Sequence, residues 1–297
     1  MGSLKALTLA SAVALAAIPL APFPAAFAAD LLPPPPQLEP PPLRGMVDEP
    51  VGFYMRSDIG VAAVSASNLR STFTDGSTLA SLGAVDGPVS VGDNYILSLG
   101  LGWQFNQWFR ADLTAEYRGS ASYASSVTYQ WGTALTNASG CFPGSGLVCG
   151  DQYSGNVKTG LFLANGYIDV GSWYGFTPYV GGGIGLAVYQ TSGVKDLGLY
   201  PTAGAFGFAP NYSGTNFAWS LTGGVAYAIA PNLKLDVAYR YVNMGAFKTG
   251  AIGCNYTVAG SCHGEIQSFN MASNDLLFGL RWFTPVVAPV PVLQTRY

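Results

Sequence analysis

Between Asn94 and Arg118, apolar and polar side chains alternate with a period of two. Tyr95, Leu97, Leu99, Leu101, Trp103 and Phe105 occupy one parity, with Ser98, Gly100, Gly102 and Gln104 between them. After Asn106-Gln107-Trp108, the residues Phe109, Ala111, Leu113, Ala115 and Tyr117 repeat the pattern against Arg110, Asp112, Thr114, Glu116 and Arg118. A helix would place neither set on one side, so the stretch predicts a hairpin of two β-strands. Its polar face carries charges of both signs, and aromatic residues crowd its apolar face near the turn. An apolar outer face, a polar inner face and aromatic flanks are the pattern of barrel strands that meet lipid.

The same reading predicts eight strands: 52–65, 94–105, 109–122, 156–170, 176–190, 217–229, 233–242 and 275–284. In the fifth, Val180, Ile184, Leu186 and Val188 face outward, while Gly181, Gly183 and Gly185 line the inside and leave room for large side chains opposite. The fourth alternates weakly. Leu161, Leu163 and Tyr167 compete with Phe162, Ala164 and Ile168 for the outer face, and its register stays open. Connections between strands two and three, four and five, and six and seven are tight. The others are long: Asn68–Asp93, Ala124–Gln152, Thr191–Gly214 and Asn243–Asn274. Short turns at one end and long loops at the other are the outer-membrane arrangement, with the turns periplasmic and the loops extracellular. Lipid cannot satisfy an open sheet edge, so the expected fold is all-β, a closed eight-stranded antiparallel up-and-down transmembrane barrel over residues 52–284.

Composition agrees. Of 297 residues 38 are glycine, aromatics make up 13% and charged residues only 10%, against a typical ~25%. Beyond the first thirty residues no apolar run is long enough for a spanning helix. A net charge of −3 points away from nucleic acid. Lys5, the apolar run Ala6–Leu20 and Ala26-Phe27-Ala28 form an export signal with its cleavage site, so residues 1–28 are expected to be removed. Residues 29–51, with Pro33–Pro36 and Pro40–Pro42, read as a stiff periplasmic linker, and residues 285–297 as a periplasmic tail.

Export permits disulfides. Cys141 and Cys149 share the second long loop, Cys254 and Cys262 the fourth, so two local bridges are favoured among the three possible pairings. A metal site would need more ligands than the lone His263 beside one pair supplies, and no metal or other cofactor is expected.

The inward parity holds Arg56, Arg110, Arg118, Lys234, Arg240 and Arg281 against Asp58, Asp112, Glu116 and Asp236. Charges buried in so narrow a barrel must pair. Eight strands enclose only enough room for side chains or one small ligand, which disfavours a general pore and favours an ion-pair plug over a gated ion path. Ser261, Glu265 and Asp275 lie near His263 in sequence, but this is ordinary loop composition, and no catalytic site is expected.

Several stretches together resemble a family. They are the export signal with its proline-bearing linker, the segment from Gly166-Tyr167 to Thr177-Pro178-Tyr179-Val180, the strand ending Ala238-Tyr239-Arg240-Tyr241, and the closing Gly279-Leu280-Arg281-Trp282. In order and spacing they are similar to the opacity/OmpA-type eight-stranded outer-membrane barrels of Gram-negative bacteria, over roughly Gly52 to Thr284. The resemblance implies a surface-exposed, porin-like antigen with roles in envelope integrity and in contact with a host or another surface. Such barrels usually end on an aromatic residue read by the barrel-assembly machinery. Here Thr284 stands two after Trp282, and a tail with three prolines follows. Two functions remain. One is a structural and surface-interaction protein acting through its extracellular loops, with outer-membrane lipid, lipopolysaccharide and host or surface ligands as partners. The other is a narrow ion or small hydrophobic-ligand channel. Tyr153, Tyr200, Phe206, Phe208 and Tyr212 make the loops aromatic, as contact would require.

Overall fold

In the computed structural model the described residues are 51–79, 84–129, 149–200, 206–254 and 264–284. The chain divides into a short unit, Met1–Leu43, outside the described residues, and a second, Arg44–Tyr297, that holds every strand. The expected export signal, the tail and all of the linker but Val51 therefore lie outside the described residues.

Eleven strands follow in order: β1 (Gly52–Phe73), β2 (Ala84–Val91), β3 (Asn94–Gln104), β4 (Phe109–Tyr129), β5 (Gly150–Asp169), β6 (Phe176–Tyr200), β7 (Phe206–Phe208), β8 (Tyr212–Ala230), β9 (Leu233–Lys248), β10 (Gly253–Cys254) and β11 (Glu265–Phe283). Eight of them close an antiparallel ring, β1-β3-β4-β5-β6-β8-β9-β11, and β11 returns to β1 from Tyr54↔Phe283 to Phe73↔Glu265. The short β2, β7 and β10 prolong the wall at the long-loop end, where β2 pairs with β4, β7 with β6 and β10 with β7.

The hairpin read from alternation is the β3–β4 pair, with Leu101 opposite Leu113 and Gly102 opposite Asp112. The open register of the fourth predicted strand resolves with Phe162, Ala164 and Ile168 outward and Leu161, Leu163 and Tyr167 buried. Gly181 does make room: a Cβ there would sit 2.3 Å from Cδ1 of Tyr167. A band of exposed apolar side chains girdles the turn end, with Ile59, Leu99, Leu113, Ile184, Leu221, Val237 and Phe278 among them. Among the described residues no helix is long and apolar enough to cross a membrane, and the band is carried by strands.

The predicted loops correct differently. All the ring strands but β3 run past their predicted bounds at the long-loop end: β1 to Phe73, β4 to Tyr129, β6 to Tyr200 and β9 to Lys248, while β5 begins at Gly150, β8 at Tyr212 and β11 at Glu265 rather than Asp275. A membrane-crossing strand needs only about 9–11 residues, so the wall continues well beyond the apolar band. There the alternation inverts. Ser65, Ser122, Ser154, Asn156, Gln190 and Asn270 point outward, while Leu69, Tyr123, Val157, Val194, Phe247, Phe269 and Met271 are buried inside. Outside the band the wall meets water, so hydrophobic burial acts inward, as in a soluble protein. The predicted loops are polar because their outward half is polar, and their inward half is a core.

Candidate functional site in the barrel interior

Strand parity turns every charged residue expected to be interior toward the lumen. Arg56 and Asp58 come from β1, Arg110, Asp112, Glu116 and Arg118 from β4, Lys234, Asp236 and Arg240 from β9 and Arg281 from β11, and all are buried. Two buried carboxylates that sequence reasoning left out join them: Asp169 on β5 and Asp275 on β11. Six cations thus face six anions, not four. Asp169 was hidden by the ambiguous register of its strand. Asp275 shares parity with Arg281, and that signal was available; placing the residue at the edge of a loop concealed it.

The groups form two layers. Nearer the turn end, Arg56 clasps Asp58 through Nε and Nη2 (3.1 and 2.8 Å) and reaches Asp112 Oδ2 (3.1 Å) and the Tyr167 hydroxyl (2.9 Å) with Nη1. Tyr54 Oη and Asn165 Nδ2 donate to the same Asp112 carboxylate at 3.0 and 2.8 Å. Arg281 pairs with Asp236, and Lys234 lies 6.0 Å from the Phe283 ring centre. Arg110 donates through Nε to Asp169 at 3.2 Å, and Gln104 holds the other Asp169 oxygen at 2.9 Å. The Arg110 guanidinium is stacked between Tyr167 and Tyr179, 3.9 and 4.4 Å from the ring centres.

The second layer is a closed quartet. Arg118 donates to Glu116 (2.7 Å), Asp275 (2.6 Å) and Ser273 (2.7 Å), and Arg240 donates to Glu116 (2.6 Å) and Asp275 (2.8 Å). Each arginine touches both carboxylates and each carboxylate both arginines. Such mutual hydrogen bonding is the condition under which buried charges persist.

Above the quartet the lumen is apolar. Tyr189 stacks on Phe247 at 4.0 Å and Tyr123 on Phe269 at 4.9 Å, with Val157, Leu161, Val242, Met244 and Met271 around them. Nearest the long-loop rim the polarity returns as an acidic fringe. Tyr153 donates to Glu265 (2.7 Å), Tyr129 to Asp151 (2.5 Å) and Ser71 to Asp86 (2.8 Å). Tyr153, expected in a loop, is therefore buried and faces inward. Asp196 stands opposite Tyr153 across the β5–β6 ladder, and its Oδ1 has no hydrogen-bond partner. Burial first, then the neighbouring Asp151 and Glu265, push its carboxyl from 3.8 up to about 7. The folded rim therefore favours the protonated acid. That contribution is complete below the ordinary carboxyl value and is lost as pH rises through about 7. Amide protection, taken relative to the intrinsic exchange rate at each pH, should accordingly be greater around Lys195–Leu197 and Phe206–Phe208 at pH 5 than at pH 8, and Asp196→Asn should remove the difference. A pH-independent rim would contradict this account.

Tyr200 is the end of β6. His263, Ser261, Cys141 and Cys262 lie outside the described residues. Cys149 lies within them and is not a free thiol, and the backbone of Cys254 ends β10. Nor do three His, Cys, Asp or Glu side chains among the described residues converge as metal ligands.

A family model described as the outer membrane protein beta-barrel domain matches residues 10–258. An uncharacterized protein of Brucella suis is 29% identical over 227 residues, covering 74% of this chain and 76% of its own. The outer membrane protein PagN of Salmonella typhimurium is 26% identical over 245 residues, covering 78% and 89%. An adhesin candidate of Rickettsia prowazekii is 30% identical over 198 residues, covering 66% and 74%.

Proposed function

The chain belongs to the outer membrane protein beta-barrel domain family, and from that premise we propose that it is a non-enzymatic surface-contact protein with a plugged lumen. The protein resides in the outer membrane. Its long-loop end is extracellular on this reading, and its work is done there, on the wall that rises above the lipid. The observation that carries the reading is an exposed apolar cluster on that wall. Leu197 pairs with Phe206 across β6–β7, and Phe208 lies beside them, its ring 5.6 Å from that of Phe206. All three are close to half exposed. On β6 the outward residues Gln190, Ser192 and Lys195 separate this cluster from Val188, the last apolar residue of the lipid-facing band. Lipid does not cover the cluster, and exposed apolar patches of this kind mark interaction surfaces. The adhesin candidate among its relatives supports the same direction.

The two ion-pair layers and the aromatic stack support a structural role for the interior, because each fills the narrow lumen with side chains that pair with or stack on one another. Lipopolysaccharide and outer-membrane lipid are the partners of the girdle, and the barrel-assembly machinery inserts the chain. Cys141–Cys149 and Cys254–Cys262 are the bridges this reading assigns to the rim, to be read by mass spectrometry of unreduced peptides.

The test has two arms. Purified barrel in planar bilayers should give little or no single-channel conductance. Bacteria displaying the protein should adhere to a responsive surface, and Phe206→Ser combined with Phe208→Ser should reduce adherence without altering barrel stability. Steady conductance, or adherence indifferent to both substitutions, would transfer the function to a narrow channel.

A further inference from the structure

Among the described residues the rim half of the wall is joined by backbone ladders at most junctions. Where the β8–β9 ladder stops at Trp219↔Asn243, the Asn216 side-chain amide donates to the Met244 and Ala246 carbonyls beyond it at 3.2 and 2.7 Å. β11 pairs with β1 as far as Phe73↔Glu265, β2 with β4, β4 with β5 as far as Thr128↔Gly150, and β5 with β6 as far as Gly150↔Tyr200. β7 and β10 carry the wall over the shorter β8–β9 pair, and a bridge from Ile252 to Glu265 closes it onto β11. Between β1 and β2 no ladder exists among the described residues. The pairing of β1 with β3 stops at Ala62↔Asn94, and β2 pairs with β4 alone.

Both edges of this seam are shaped against zipping. In β1 the register shifts between Ser67 and Arg70, around Asn68 in the left-handed region at φ 54°. In β2 it shifts between Asp86 and Val89, where Gly87-Pro88 intervenes and Pro88 has no N–H to offer. Bulges and an edge proline put backbone groups out of step with a facing strand. Among the described residues the polar contacts across the seam come from side chains. Val64 N–H donates to Asp93 Oδ1 at 3.0 Å, and Ser71 Oγ to Asp86 Oδ1 at 2.8 Å. Val64, Ala66 and Val89 pack against the apolar core yet are only partly buried, whereas Leu69 and Val91 behind them are buried.

We propose that this seam is a joint along which the rim half of the barrel opens sideways, onto its apolar core, while the lipid-embedded half stays shut. The barrel below is sealed by the β1–β3 ladder, whereas among the described residues the seam above it shows two hydrogen bonds to side-chain carboxylates and apolar contact. The proposal does not depend on the surface-contact reading.

Backbone direction alternates along a strand. Val64 N–H turns toward Asp93, so Ala66 N–H points into the seam. Gly92 N–H donates to Ser122 on β4 at 2.8 Å, so Val91 and Val89 also point into the seam. Site-resolved amide exchange on the whole protein in lipid nanodiscs should find Ala66, Val89 and Val91 exchanging on the order of 100-fold faster than Ser65 and Ser90, the difference between local opening and opening of the paired wall. Asp86→Ala should accelerate those three amides further and leave Leu97 and Leu99 unchanged. Protection of Ala66, Val89 and Val91 equal to that of their neighbours would show the seam zipped, and uniform acceleration across the barrel by Asp86→Ala would show that no separate joint exists. Either result overturns the proposal.

Discussion

Arg118→Leu should lower the stability of the folded barrel by about 3–5 kcal/mol, the range for breaking a buried ion pair from one side. Arg118 is fully buried and donates to Glu116, Ser273 and Asp275. Its loss leaves two carboxylates facing Arg240 alone, in a space too narrow for bulk water. The measurement is the temperature at which the compact, fast-migrating form converts to the unfolded form on gels. Replacing Glu116, Arg118, Arg240 and Asp275 together by leucine should cost less than the single change, because no charge is then left uncompensated. If Arg118→Leu converts at the wild-type temperature, the quartet contributes nothing to stability and the plug reading loses its physical basis.

Leu99→Arg should destabilise by about 2–4 kcal/mol, as for a cation on the lipid face near the bilayer midplane. Leu99 is 68% exposed on β3, centred between Tyr95 and Trp103 on the outward face. The same change at Ser122, outward on β4 above the apolar band, should fall within about ±0.5 kcal/mol, the ordinary range for a water-facing surface site. Equilibrium unfolding in urea from lipid vesicles compares the two. Equal effects at both sites would mean that lipid reaches Ser122, and the inverted alternation would then need another cause.

The contrast between these two sites shows how far the chain was legible without coordinates. Tyr95 to Phe105 and Leu233 to Tyr241 declare strands, faces and inward charges by parity alone, because side-chain direction in a strand depends only on position in the alternation. The eight-stranded ring, the lipid-facing set and the interior position of Arg110, Arg118 and Arg240 follow from that periodicity and from the alternation of short and long connections.

What alternation cannot declare is which medium a face meets. Ser122 and Leu113 point the same way on one strand, yet one meets water and the other lipid, and height above the bilayer is a property of the assembled barrel. For that reason the polar stretches past Ser65, Ser122 and Gln190 read as loops when they are wall, with a core of Tyr123, Phe247 and Phe269 behind them. Partnership is likewise decided only on closure. Arg118 meets Asp275 across 157 positions of chain and Arg240 meets Glu116 across 124, distances set by ring order and strand stagger. The unpaired β1–β2 seam is of the same kind, since the bulges at Asn68 and Gly87-Pro88 take effect only where two distant edges come to face each other.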